Sequence, residues 1–172
     1  MFISRFPLAR IMPKTPEPVP RGFHTVTYAI VVDDGAKALE FYAKALGAKE
    51  RNRALGPGGK IWHAEIEVGD SVIMLTDEFP GSEMKSPRSL GGISASAWLY
   101  VPDVDTAFKR AVSAGAKPVQ EPQTMFWGDR FGSFTDPFGH SWSVASHVED
   151  VPPAEREKRR LAAMKEFGGN RP

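Results

Sequence analysis

The stretch His24–Lys49, HTVTYAIVVDDGAKALEFYAKALGAK, lays down a strand, a helix start and a helix stop in succession. Tyr28 to Val32 is an unbroken apolar run of the length a buried strand uses. Asp33 and Asp34 follow with N-cap oxygens and negative charge for the positive end of a helix dipole. Leu39, Tyr42, Ala43 and Leu46 share one helical face, and Gly47 ends the helix. A second copy of this grammar occupies Ser94–Lys117, SASAWLYVPDVDTAFKRAVSAGAK, and Gly-Ala-Lys closes both. There Asp103 or Asp105 caps a helix with Val104, Ala107, Phe108, Ala111 and Val112 as its apolar stripe, and Gly115 stops it.

Each copy is followed by strand signals. In the first, a strand near Lys49–Ala54 leads through Gly56–Gly59 to Ile61–Val68, where Trp62, Ala64, Ile66 and Val68 alternate with His63, Glu65 and Glu67. Gly69-Asp70 turns the chain into Ser71–Thr76. In the second, strands near Pro118–Gln120, Arg130–Thr135 and His140–Ala145 flank a type I turn at Asp136-Pro137-Phe138-Gly139. The predicted fold is α+β: two tandem βαβββ modules, 22–78 and 93–147, with curved mixed sheets enclosing a cavity and helices outside. Together they make one domain over 22–151. Residues 1–21 read as an extended proline-rich arm, and 152–172 as a charged helix and tail with Leu161, Met164 and Phe167 on one side and Gly168 as stop. That helix reads as a packing flap.

Composition bounds the function classes. The 172 residues carry a net charge of +1, so neither nucleic acid nor an anionic membrane is implied. The absence of cysteine removes thiol nucleophiles, disulfides and zinc–thiolate sites. No apolar run reaches the ~18–20 residues of a membrane span. A cytoplasmic protein fits these features. Arg5, Arg10 and Lys14, with no acid before Glu17, also fit an organelle transit peptide; a start at Met12 is the plainer reading.

Phe41-Tyr42 in the first helix, Leu-Gly after it and the Asp-Pro-x-Gly turn together resemble the vicinal oxygen chelate superfamily of glyoxalase I, bleomycin and fosfomycin resistance proteins and extradiol dioxygenases. The strings HAEIEVGDSVIML, FWGDRFGSFTDPFGH and SHVEDV look like its PhnB-like branch. Metal enzymes of the superfamily hold one divalent ion with His and Glu from the first and last strands of each module. Carried over, those positions are Thr27, Met74, Ser96 and Ser143, and none is a His or carboxylate. His24 and His140 lie three residues from ligand positions, about 10 Å along a strand and on the opposite face. No cofactor is therefore expected, and a divalent metal would need a relocated site.

Two other groups of residues invite chemistry. His63, Glu65 and Glu67 share a strand face, with neighbours roughly 6–7 Å apart, close enough for His63 and Glu65 to converge on a substrate group or share a proton. A solvated outer strand whose glutamates pair with Arg51, Arg53 or Arg130 is the plainer reading, since most ion pairs are structural. Trp98 and Tyr100, sharing the parity of Ser96, with Phe126, Trp127 and Phe131 supply the aromatics of a small-molecule cleft, and Arg130 in Gly128-Asp129-Arg130 could bind a charged group at its rim. Plain core packing explains Trp98 and Tyr100 equally, and a salt-bridged turn explains Gly128-Asp129-Arg130 equally. Trp62 and Trp142 read as core.

The leading expectation is a metal-free small-molecule binding or sequestering protein, which resembles the bleomycin-resistance proteins that sequester a drug without chemistry, with ligand contacts at His63, Glu65, Trp98, Tyr100, Trp127 and Arg130. Superfamily members commonly pair, which predicts a homodimer. One alternative is a metal-dependent lyase, isomerase or dioxygenase with a relocated site that includes His63 and Glu65 as catalytic candidates. Another is a structural or regulatory dimer with a closed cavity.

Overall fold

The computed structural model describes residues 17–169. The readings of the first sixteen positions as a transit peptide or early start, and the side chain of Phe167, lie outside the described residues. The chain runs β1 (Tyr28–Val32), α1 (Gly35–Leu46), β2 (Lys49–Leu55), β3 (Ile61–Val68), β4 (Ser71–Asp77), α2 (Pro87–Leu90), β5 (Ser96–Tyr100), α3 (Val104–Ser113), β6 (Lys117–Thr124), β7 (Asp129–Thr135), β8 (Ser141–His147) and α4 (Pro153–Gly169). Two four-stranded sheets result, ordered β1-β4-β3-β2 and β5-β8-β7-β6. In each, the first strand runs parallel to the last and the remaining pairs are antiparallel. The α+β class and mixed sheets are as the repeat predicts.

The caps follow the sequence chemistry. Asp34 accepts the amide of Lys37, and Gly47 takes the left-handed conformation (φ 69°) that ends α1. Of the two acids before α3, Asp103 is the cap, accepting the amide and hydroxyl of Thr106. The buried stripe of α1 is Ala38, Leu39, Phe41, Tyr42 and Ala45; Ala43, expected in it, is exposed. The short α2, absent from the sequence reading, is fastened by Glu78. Hydrogen bonds from the Ser89 hydroxyl and the Ser86 amide hold that carboxyl's pKa down to about 2.

The modules share one apolar core. α1 packs against α3, Phe41 meets Phe138 edge-on at 6.1 Å, and Tyr28 meets Trp142 at 6.2 Å. Within this core lies Asp136, 3% exposed. Its Oδ1 accepts the amides of Phe138 and His140, both at 2.9 Å. Its Oδ2 accepts the Tyr42 hydroxyl at 2.7 Å and the Trp142 indole N–H at 2.8 Å. Four donors thus satisfy a carboxylate that would otherwise be expensive to bury. Burial first, and Asp136 second, push the Tyr42 hydroxyl well above its ordinary pKa and raise that of Tyr28 as well. Arg110 reaches back from α3 to donate its Nε–H to the Ala45 carbonyl at the end of α1.

The sheets do not close round a cavity within the chain. Their faces turned from the helices are open, leaving Trp98 44% and Tyr100 66% exposed. A recess of about 970 Å³ lies instead at the seam, between β1, the β3–β4 turn, β5 and α3. The core assignment of Trp142 holds; that of Trp62 does not. Leu55 opposes Ile61 while Ala54 opposes His63, so β3 carries one extra residue there, a β-bulge. Ile61 fills the core slot at 1% exposure, and Trp62 swings out to 62%, packed on Phe79 and over Gly56.

The C-terminal helix is rooted by Arg159, whose guanidinium forks onto Glu149 at 2.7 and 2.8 Å. It continues to Gly169, past the expected stop, and Leu161 and Met164 stay about half exposed. Its approach crosses Gly128, whose carbonyl accepts the amides of Val148 and Glu149. Only glycine fits this crossing: φ is +101°, and a Cβ would sit 2.0 Å from the Glu149 carbonyl oxygen.

Candidate aromatic binding site

Period-two alternation sends Ala97 and Leu99 of β5 toward the helices and Ser96, Trp98 and Tyr100 to the open face. Register supplies the rest. On the central strand β8, Ser143 lies beside Trp98 and opposite Ser133, while Ala145 lies beside Tyr100 and opposite Phe131. These small side chains let rings from the flanking strands meet above β8. Trp98 and Phe131 stack there with centroids 4.7 Å apart and planes inclined by 9°. Tyr100 stands 6.3 Å from Trp98, and Trp127 6.3 Å from Phe131, with Phe126 edge-on to Trp127.

Asp129, at the start of β7, ties this group together. It is 3% exposed. Its Oδ2 accepts the Tyr100 hydroxyl at 3.1 Å and the Trp127 indole N–H at 3.0 Å, and its Oδ1 faces His147 Nδ1 at 2.8 Å. His147 Nε2 faces Asp150 at 3.0 Å. Burial works against charge on Asp129, but the hydrogen bonds from His147, Trp127 and Tyr100 outweigh it and lower the pKa. The same contact with Asp129, then that with Asp150, raises the pKa of His147, and the bond to Asp129 raises that of Tyr100.

Asp129 and His147 were not singled out in the sequence. The signal available was parity: Asp129 alternates in phase with Phe131. What alternation cannot supply is the register that sets His147 opposite Asp129.

Of the residues expected to bind ligand, Trp98, Tyr100 and Trp127 come together. Arg130 does not join them. It lies in phase with Gly132 and Phe134 on the helix side of β7 and forks onto Asp105 of α3 with two 2.7 Å bonds. His63 and Glu65 stand on the open face of the first sheet, 3.3 Å apart, with Met74 paired beside Glu65. None of the arginines proposed as partners reaches Glu65: Arg53 binds Glu50, Arg51 lies over Phe23, and Arg130 is taken by Asp105.

The positions carried over from metal enzymes make a poor ligand set. Thr27 donates its hydroxyl to the His24 carbonyl, Ser96 donates to Ser141, and Met74 and Ser143 offer a thioether and a hydroxyl. Two hydroxyl groups engaged in local bonds, a thioether and a buried serine do not fit a divalent ion. Among the described residues, no three His, Asp or Glu side chains are grouped to hold one.

Two βαβββ modules in tandem, each with one open sheet face, define a class, and comparison places the chain in it. Residues 23–144 match the model of the Glyoxalase/Bleomycin resistance protein/Dioxygenase superfamily, and the chain belongs to that family. Rv0887c of Mycobacterium tuberculosis, an uncharacterized protein, is 44% identical over 125 residues, 71% of this chain and 74% of the relative. The crystal structure of TioX from Micromonospora sp. ML1 is similar with a TM-score of 0.57 and 26% identity, over 72% of this chain and 99% of TioX. TnmS3 from Streptomyces sp. CB03234, an antibiotic binding protein, shares the fold with a TM-score of 0.55 and 23% identity, over 73% of this chain and 96% of TnmS3. No described helix is long and apolar enough to cross a membrane.

Proposed function

We propose that this chain is a small-molecule binding protein that sequesters a planar aromatic or amphipathic ligand on the open face of its second sheet, without a metal. The observation that carries the reading is the Trp98–Phe131 stack, which is held by the sheet yet leaves Trp98 44% exposed. Aromatic surface in that state is what a flat ligand covers with most gain. The antibiotic-binding role of TnmS3 supports it at the level of the shared fold.

The reading includes a homodimer. For His63 and Glu65 to hold the ligand's polar group they must come from a second copy, because within one chain they belong to the other sheet. Light scattering on the purified protein checks the pairing.

The binding test is quenching of tryptophan fluorescence by a panel of flat aromatics, with 1-aminoanthracene as reference. Saturable, stoichiometric quenching that weakens about tenfold or more in Trp98→Ala supports the reading, since stacking on one ring is worth roughly 1–3 kcal/mol. Quenching unaffected by that change defeats it.

A second reading rests on the 3.3 Å approach of His63 to Glu65, a pair suited to proton transfer or to a relocated metal centre. Turnover abolished both by a chelator and by His63→Ala, with stoichiometric metal lost from the variant, would replace sequestration with metal-dependent lyase, isomerase or dioxygenase chemistry.

A further inference from the structure

We propose that Asp129 is the positioning residue of the aromatic site, and that protonation of His147 governs how firmly it holds Tyr100 and Trp127. The geometry stands by itself; its consequence for ligands rests on the binding reading above.

Tyr100 and Trp127 come from different parts of the second module, β5 and the turn before β7, and neither is confined by deep burial. A phenol and an indole in that situation choose among several rotamers unless a polar anchor selects one. Asp129 supplies it. One carboxylate oxygen receives both donors, at 3.1 and 3.0 Å, so the two rings are set relative to each other through a single atom. Between them lies the Trp98–Phe131 stack, and the four rings make one wall. Preorganising rings in this way reduces the entropy lost when a ligand docks.

The second oxygen faces His147, which reaches over from β8 and is half exposed. The charged and titratable groups around the carboxylate are few. Tyr100 approaches from β5 and His147 from β8, with the fully exposed Asp150 behind His147. The neighbouring Glu149 is taken by Arg159 of α4, and Arg130 points to the opposite face to bind Asp105. No other cation among the described ion pairs serves Asp129, so His147 is its counterion. The protonated imidazole donates to Asp129 and Asp150 at once; a neutral ring has one N–H and must abandon one of them.

The sign follows from both partners. The His147 pKa lies above its ordinary 6.5, so its contribution is complete below 6.5 and fades as pH rises through the raised value. The Asp129 pKa lies below its ordinary 3.8, so its contribution is complete above 3.8 and fades only in stronger acid. The wall is held most firmly between those limits and loosens on the alkaline side.

The experiment uses the full chain, with Asp129→Ala and His147→Gln, and two readouts. The first is the Trp127 indole N–H resonance and its exchange with water; the second is affinity for 1-aminoanthracene from pH 5 to 9. In the wild type the indole N–H is protected and its shift follows the His147 titration. In Asp129→Ala protection disappears and affinity falls about tenfold, as expected for loss of hydrogen bonds to a charged acceptor. In His147→Gln the pH dependence of both readouts flattens. Should Asp129→Ala fail to fold, His147→Gln decides: a Trp127 resonance still titrating as in the wild type overturns the proposal. Unchanged affinity and protection in a folded Asp129→Ala, beside Trp98-dependent binding by the wild type, defeats this inference alone. Wild type that shows no Trp98-dependent binding defeats the binding reading itself.

Discussion

Asp136 and Asp129 are built alike on one oxygen and differently on the other. Each Oδ2 accepts a tyrosine hydroxyl and a tryptophan indole: Tyr42 and Trp142 for Asp136, Tyr100 and Trp127 for Asp129. At Asp136 the other oxygen takes two backbone amides, which carry no titratable proton, whereas at Asp129 it takes His147. The first carboxylate sits in the core between modules, the second beneath an open sheet face. Identical side-chain donors therefore make a permanent joint in one place and a proton-dependent fastening in the other. The difference lies in what the other oxygen binds: fixed backbone amides at Asp136, a half-exposed imidazole at Asp129.

The contrast can be broken from the strong end first. Asp136→Ala leaves a buried phenol, an indole and two amides without an acceptor, and should lower unfolding free energy by about 3–5 kcal/mol in urea. A loss under about 1 kcal/mol would mean the core re-satisfies those donors and is no joint. Tyr42→Phe removes one bond to the same carboxylate and should lower stability by about 1.5–3 kcal/mol. In the wild type the Tyr42 phenol should resist ionisation by ultraviolet titration until well past pH 10, its ordinary value, because burial and the Asp136 carboxylate keep it protonated. Its contribution to stability is complete below pH 10 and is lost as pH rises through the raised value. Asp129→Asn keeps one acceptor oxygen for Tyr100 and Trp127 and gives up only the charge facing the half-exposed His147, so it should remove only about 1 kcal/mol. Smallest of all is His147→Gln. Its stability difference from the wild type should be visible near pH 5–6 and vanish as pH climbs past the raised His147 value, measured as melting temperature against pH.

Periodicity and capping made the architecture legible. Tyr28–Val32 is β1 to the residue, Asp34 and Gly47 bound α1 as expected, and the Gly-Ala-Lys repeat announces the duplication. The aromatic half of the site was legible too, since alternation alone puts Trp98 and Tyr100 on the face away from α3. Three features were hidden, each for a definite reason. Trp62 left the core because a single inserted residue in β3 reverses its phase, and a bulge is set by pairing with β2 rather than by local pattern. Arg130 was grouped with its neighbours in sequence, but adjacent strand residues face opposite ways, and it binds Asp105 on the helix side. Asp136 read as a turn residue. Its turn amides are local and legible, but Tyr42 lies in the other module, a contact that no spacing announces.

The seam has a last consequence, which concerns mistaken self-pairing. Tandem copies of one unit can associate in wrong combinations, first with first or second with second. Counting back from the helix-ending glycines, Tyr42 stands five residues before Gly47, and Arg110 five before Gly115. The two positions are equivalent by repeat and opposite in chemistry. Tyr42 gives its hydroxyl to Asp136, and Arg110 gives its Nε–H to the Ala45 carbonyl. Joining two first modules would set phenol where guanidinium belongs and offer neither its acceptor; joining two second modules would bring two guanidinium cations together. The duplicated halves are thus keyed as lock and counterpart, and a chain of twins folds as a heterodimer of its own parts.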